Sequence, residues 1–426
     1  MKVTVHSSRL SGSVLVPGSK SHTIRAVAIA SLAEGESIIR RPLISLDTQS
    51  AHECYRAFGA VISETPDAWQ VMGFGGIPRV PENCVDVGNS GTTINMALGT
   101  AALLREGIAV LTGDAQVRRR PNGPLADALN ALGAEVVSTR GTGTPPFVVR
   151  GCIQGGTATV EAQNSQYVSS LLIHAPLADQ DTELQVPVLF EQPYVRMTLD
   201  WLAKQGLRVE HDDALSHFRI PGGQHYRPFD RAIPGDFSTA TFFLAAGALP
   251  GNRITCHGLD LKDTQGDKAV VEYLRGMGAR ITTETDAVTV EGAGLEGGEF
   301  DLNATPDALP MMAALACFAR GETRLVNVAQ ARLKETDRIR IMREELSRLG
   351  AHITERDDGL IIRESPLRGG TAFSHGDHRV AMALAIAATA ADGPVTIEGM
   401  EAAAVTYPEF MDHLTDTGGR VEMAEA

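Results

Sequence analysis

The chain has 426 residues, too many for one ordinary core, so length alone predicts two or three domains. It is 43% apolar and 21% charged with a formal net charge of −14, which argues against a nucleic-acid partner while leaving room for a local anion pocket. No apolar run reaches the roughly 18–20 residues of a membrane span, the opening MKVTVHSSRL alternates like a strand instead of a signal peptide, and the five scattered cysteines (Cys54, Cys84, Cys152, Cys256, Cys317) fit reduced thiols. The expectation is a cytoplasmic protein with no membrane and no nucleic-acid partner.

In chain order, six similar helical segments are predicted: KSHTIRAVAIASLAEG, TTINMALGTAALLREG, NSQYVSSLLIHAPLAD, DFSTATFFLAAGALPG, PDALPMMAALACFARG and HRVAMALAIAATAADG. They close at Gly35, Gly107, Asp179, Gly251, Gly321 and Gly393, at spacings of 72, 72, 72, 70 and 72 residues. A second series runs in step: FGAVI, LGAEV, QGLRV, MGARI, LGAHI and GGRVE, centred on Gly59, Gly133, Gly206, Gly278, Gly350 and Gly419. Each landmark reads as a helix ended by a left-handed glycine and followed by a strand. Two phased series of six mean internal repetition.

Each unit therefore holds one helix that is apolar all round, and so buried, one amphipathic helix such as PLADALNALGA, and short strands. Three units closing around three buried helices give a lobe, and six give two similar lobes. The stretch YRPFDRAIPGD (226–236) reads as the crossover, and the opening strand, before Pro17-Gly18, is expected to pair back into the second lobe. The fold class is α/β, but not doubly wound.

Fifteen residues before each helix-end landmark stand Lys20, Thr92, Asn164, Asp236, Pro306 and His378, set in GSKS, GNSGTT, QNSQ, PGDFS, TPD and GDHR. Polar groups thus gather at the N-termini of the buried helices. Capping accounts for Ser19, Asn89, Ser238 and Asp377. It does not account for Lys20, Arg25, His378 or Arg379, because a helix N-terminus is already electropositive. Free N–H groups with nearby Lys and Arg form an anion site, so several such ends facing one cleft imply a guest with several negative charges.

Two loops add to the set. GDAQVRRRPNGP offers Arg118, Arg119 and Arg120, of which one is expected to reach the cleft. ARLKETDRIRIMREEL reads as an amphipathic helix opening with Lys334, Glu335, Asp337 and Arg338. Asp307 and Glu335 then become candidates for proton transfer beside a cationic pocket. VPGSKS lacks the glycines of a P-loop, and no Rossmann fingerprint, HExxH or Ser–His–Asp order is present.

PGSKSHTIRA, VGNSGTT, RRRPNGPLADAL, SQYVSSLL, PDALPM, LKETDRI and GDHRVAMALA together resemble, in order and along the full chain, the signature segments of the 5-enolpyruvylshikimate-3-phosphate synthase family. The resemblance implies the enolpyruvyl-transferase fold: two lobes of three repeats around buried parallel helices, at about 19–233 and at 1–18 with 234–426, with the active site in the cleft between them. It implies transfer of the enolpyruvyl group of phosphoenolpyruvate to a ring hydroxyl of shikimate 3-phosphate, with no cofactor and no metal, by a monomer whose partners are these small anions.

Residue by residue, the resemblance assigns catalysis to Lys20, Asp307, Glu335 and His378. Asp307 would take the hydroxyl proton, Glu335 would serve the methyl carbon, and Lys20 would bridge both ligands. Phosphoenolpyruvate would be held by Lys20, Gly91, Arg120, Gln166, Arg338 and Arg379. The ring substrate would be held by Ser21, Arg25, Asn164, Ser165, Gln166, Glu191, Tyr194, Asp307 and Lys334. A sister reaction on UDP-N-acetylglucosamine uses a cysteine in the loop equivalent to 113–121, and this loop has none.

Four positions depart from the family pattern: Val405 replaces a lysine before TYPEF, Asn164 the first serine of SSQ, Glu191 a serine, and Asn95 an arginine after GNSGTT. Asn164 and Glu191 fall where the 3-phosphate would bind. This makes an alternative acceptor, an unphosphorylated shikimate-like acid, an expectation to be weighed, and the missing lysine at Val405 extends it to lyase or dehydratase chemistry on such a ring without phosphoenolpyruvate. A catalytically silent anion-binding homologue is the third class.

Overall fold

The six apolar segments form six buried helices in a computed structural model, which describes residues 1–65 and 67–424. Helices alternate in kind along the chain. The odd-numbered ones are α1 (Lys20–Leu32), α3 (Gly91–Ala101), α5 (Ser165–His174), α7 (Phe237–Ala248), α9 (Leu309–Ala316) and α11 (His378–Ala388). The even-numbered ones are α2 (Leu46–Ala57), α4 (Gly123–Ala131), α6 (Gln192–Lys204), α8 (Val270–Gly276), α10 (Arg338–Arg348) and α12 (Phe410–Asp416). Alanine and other small residues let the odd helices pack on all sides, and every residue of α7, α9 and α11 is buried. Even helices bury one face only; α10 buries Ile339, Ile341, Met342 and Leu346 together with two charged residues, Arg338 and Glu345.

The chain divides into two compact units, Lys20–Ile233 and Met1–Ser19 with Pro234–Ala426, hereafter the first and second unit. Each has its own hydrophobic core. In the first, α3 packs against α1 and α5; in the second, α7, α9 and α11 pack against one another. Phe237, Phe242 and Phe243 of α7 are fully buried, so truncating one to alanine costs about 3–5 kcal/mol.

Every repeat contributes one four-stranded sheet of the same order. In the first repeat, Glu34–Arg40 follows α1 and pairs antiparallel with Ala68–Phe74, which pairs antiparallel with Val61–Glu64. The other edge of Glu34–Arg40 takes Asp230–Ala232 in parallel. The chain's first strands complete sheets of the second unit: Ser11–Leu15 lies parallel to Arg253–His257, and Lys2–His6 sits between Asp392–Glu398 and Arg420–Ala424. The expected return of the opening strand is therefore matched by a reciprocal loan, since Asp230–Ala232 stays with the first unit.

The glycine landmarks need two corrections. Odd helices end three to six residues before Gly35, Gly107, Gly251, Gly321 and Gly393, whose positive φ angles (112°, 75°, 80°, 84° and 110°) serve the entry into the next strand instead of capping the helix. The second series does cap helices: the Gly59 amide donates to Arg56 O and the Ala60 amide to Tyr55 O, a left-handed C-terminal turn. In the sixth repeat the residue playing that part is Gly418 (φ 103°), not Gly419. Its amide donates to Thr415 O and that of Gly419 to Leu414 O, repeating the first pattern one residue earlier than expected.

Candidate active site

Odd helices start within one residue of Lys20, Thr92, Asn164, Asp236 and His378, while Pro306 opens a 3-10 turn that runs into α9. Capping is done by Ser90, Asn164, Asp236 and Asp377, whose side chains accept the amides of Thr93, Gln166, Ser238 and Arg379 respectively. Asn89 and Ser238 are not caps. Asn89 Nδ2 instead donates to Asp114 (2.6 Å) and Gln116 (2.9 Å), tying down the loop that carries the arginines, and Ser238 lies inside the first turn of α7. The Ser19 amide donates to Pro234 O (2.8 Å), and this residue belongs to the second unit.

In the first unit, Lys20 Nζ lies 3.0 Å from the buried carboxylate of Asp47, in the first turn of α2. A cation at a positive helix end is thus offset by the protein's own acid. Nothing in the local sequence marked Asp47, since its pairing depends on how α1 and α2 pack. Arg25, one turn after Ser21, is 1% exposed. Its guanidinium donates to Thr198 Oγ1 (2.8 Å), Ser21 O (3.0 Å), Ser169 Oγ (3.1 Å) and Tyr194 O (3.2 Å). All four are neutral, and burial pulls its pKa down to about 10 against a small opposing effect of Tyr194. Such a cation is ready for a carboxylate.

At the start of α3, the guanidinium of Arg120 lies directly against Gly91, so a Cβ at that position would displace it. Arg118 instead donates to Gly113 O within its own loop. Gln166 links two helices: its Nε2 donates to Thr92 Oγ1 (3.0 Å), and its Oε1 accepts from Asn95 Nδ2 (2.8 Å). Asn95 in turn accepts from Asn122 (2.8 Å), giving a chain of neutral amides where the family pattern has an arginine. Glu191 is buried, left-handed (φ 56°), and accepts the Ser165 hydroxyl at 2.9 Å.

The second unit gathers the acids. Arg338, also 1% exposed, donates to Asp377 through Nε (2.8 Å), to Asp307 through Nη1 (2.6 Å) and to Glu335 through Nη2 (2.6 Å). Burial pulls its pKa down, but Asp377, Glu335 and Asp307 together push it above its ordinary value. Arg379 Nη2 lies 2.8 Å from the other oxygen of Asp307, and His378 stands beside it, buried, at the start of α11. Lys334 and Glu335 are not helical, contrary to expectation: a 3-10 turn, Ala329–Leu333, precedes them, and Asp337 caps α10 by accepting the Arg340 amide (3.0 Å). That cap starts the helix at Arg338. Asp377 as partner of Arg338 was missed. Val405 closes a 3-10 turn, Met400–Val405, and is half-buried. Among the described residues, no group of three or more His, Cys, Asp or Glu is arranged to hold a metal ion.

The family profile described as EPSP synthase (3-phosphoshikimate 1-carboxyvinyltransferase) matches residues 5–414. The 3-phosphoshikimate 1-carboxyvinyltransferase of Acetivibrio thermocellus is 51% identical over 425 residues, covering 100% of both chains. The chain belongs to the EPSP synthase family. The relative of the same name from Methanocella arvoryzae is 44% identical over 427 residues, with 99% of this chain and 100% of that one covered. Among solved structures, an EPSP synthase from Acinetobacter baumannii superposes with a TM-score of 0.84 at 26% identity, covering 99% of this chain and 100% of that one. The enolpyruvyl transferase NikO from Streptomyces tendae reaches 0.80 over 100% and 99% of the two chains; at 20% identity it shows the fold alone. Membership of this family at such coverage does not favour the unphosphorylated-acceptor or lyase alternatives.

Proposed function

We propose that the protein transfers the enolpyruvyl group of phosphoenolpyruvate to a ring hydroxyl of shikimate 3-phosphate and releases phosphate. The observation that carries this reading is the pair of acids on one arginine: Asp307 and Glu335 each lie 2.6 Å from Arg338, and Asp307 also reaches Arg379. Two proton-transferring groups are thereby fixed beside an anion clamp, as an addition followed by an elimination requires. The full-length relatives named for this reaction support it.

In the addition step, the carboxylate of phosphoenolpyruvate enters between Arg338 and Arg379 and takes over contacts that Asp307 makes here. The released Asp307 carboxylate accepts the proton of the ring hydroxyl as its oxygen bonds to C2, and the C2–C3 π bond takes a proton at C3 from the carboxyl group of Glu335, leaving it a carboxylate for the next step. In the elimination step, Glu335 removes a proton from C3, the double bond re-forms, and the C2–O bond to phosphate breaks. Lys20, oriented by Asp47, and Arg120 over Gly91 stabilise the phosphoryl charge, with Gln166 as a neutral donor. Arg25, whose partners are neutral, takes the ring carboxylate together with Ser21. Asn164, Ser165, Glu191, Tyr194 and Lys334 complete the ring-substrate contacts, and His378 borders the clamp. The clustered cations attract anionic substrates despite the acidic total.

The test is incubation with phosphoenolpyruvate and either shikimate 3-phosphate or shikimate, following phosphate release and ring products. Phosphate released only with the phosphorylated acceptor is the expected result. Turnover of shikimate alone, or binding of both ligands without turnover, would overturn the assignment.

A further inference from the structure

Helix α10 grips the turn before α11 at two levels. At its start, Arg338 holds Asp377 through Nε (2.8 Å) and Nη2 (3.2 Å). Two helical turns later, the fully buried Glu345 accepts the Phe373 amide through Oε2 (3.0 Å) and pairs through Oε1 with His375 Nε2 (2.8 Å). Arg348 lies 3.4 Å from the same Oε1, with its guanidinium 5.6 Å from the Phe373 ring centre. On the other side of the turn the contacts are neutral: Ser374 Oγ donates to Gly399 O (2.9 Å) and accepts the Gly376 amide (3.1 Å).

His375 is left-handed, with φ 53°, and Gly376 follows at 72°. A left-handed histidine is disfavoured relative to glycine, so its side chain must return something that glycine does not. The side chain's contribution is its bond to Glu345, a buried acid that the chemistry above does not use. Immediately beyond stand the cap Asp377 and then His378 and Arg379.

We propose that His375 is a positioning residue: braced on Glu345, it fixes the 374–377 turn and thereby aims Arg379 at its anion. The identity of that anion, the carboxylate of phosphoenolpyruvate, rests on the function proposed above; the brace itself does not.

The test uses full-length His375→Gly, which keeps a relaxed backbone but removes the imidazole, and His375→Asn, which keeps a donor and tolerates a positive φ. In His375→Gly, KM for phosphoenolpyruvate should rise about tenfold, the loss expected for one hydrogen bond to a charged group, with kcat and KM for shikimate 3-phosphate nearly unchanged. The amides of Arg379 and Val380, which donate to Asp377, should exchange with solvent about tenfold faster, and His375→Asn should restore most of both effects. Wild-type KM and wild-type exchange in His375→Gly would overturn the proposal. So would an equal rise in both KM values with a lowered melting temperature, the mark of a merely structural residue. Exchange is read without substrate, so a wild-type protein that released no phosphate would sink the proposed function while leaving this inference to stand or fall on exchange.

Discussion

Two buried arginines, one in each unit, carry the same charge at the same exposure in opposite surroundings. Arg338 is wrapped by three carboxylates from three separate segments, and its charge is more than matched. Among the described residues, Arg25 meets only hydroxyls and carbonyls, and burial lowers its affinity for a proton. A guanidinium removed from water must be compensated somewhere. For Arg338 the compensation is built into the fold. For Arg25 the proposed function supplies it from the ring substrate, so under that proposal the second unit holds acids for proton transfer and the first holds a cation for binding.

The contrast breaks or sharpens under substitution. The largest effect should fall on the acid shared by Arg338 and Arg379: Asp307→Asn should lower kcat about 10²–10⁴-fold, the usual worth of a positioned base, measured as phosphate release with both substrates saturating. Next, Arg338→Met removes the buried cation that three acids share and should cost about 3–5 kcal/mol in urea unfolding. Arg25→Met should change stability by no more than about 1 kcal/mol, because Thr198 Oγ1 lies within hydrogen-bond distance of both Ser169 Oγ (2.9 Å) and Tyr194 O (3.0 Å) and these neutral groups can satisfy one another. The same variant should lose about a hundredfold in ring-substrate affinity. Equal unfolding penalties for the two arginines would erase the distinction.

Acid provides a third handle on the first unit. His174 is buried in hydrogen bonds to Thr100 (2.9 Å) and Ser170 O (2.7 Å), and burial lowers its pKa from 6.5 to about 4, the backbone bond opposing slightly. The unfolded chain therefore binds the proton more readily than the folded one between those values. Stability should be intact above pH 6.5 and fall by about 3 kcal/mol as pH drops to 4. His174→Gln should flatten that limb in unfolding measured across the window. The smallest expected effect is Glu191→Ser, which removes a buried negative charge from the ring-substrate side and should tighten shikimate 3-phosphate about tenfold by titration calorimetry. Unchanged or weaker binding would count against placing Glu191 there.

Much of this architecture is written locally. The 72-residue period, the apolar helices and the polar residues at their starts follow from short-range patterning, because helix propensity, capping and left-handed glycines act within a few residues. Local signals also misled where two patterns compete. The strand-entry glycines looked like helix caps, and LKETDR looked helical until the cap at Asp337 set the start of α10.

The repeat, the fold class and the charged residues at helix starts are all legible in short runs of the chain. Packing of distant segments set that Lys20 meets Asp47, that Arg338 collects acids from positions 307, 335 and 377, and that Arg25 collects none among the described residues. It also decided that strands Ser11–Leu15 and Asp230–Ala232 are exchanged between repeats distant in the chain. Apart from Glu335, which stands three residues before Arg338, these are contacts between segments tens to hundreds of residues apart. Their partners are selected by packing and by the cost of an uncompensated buried charge, neither of which is expressed in any local run of residues.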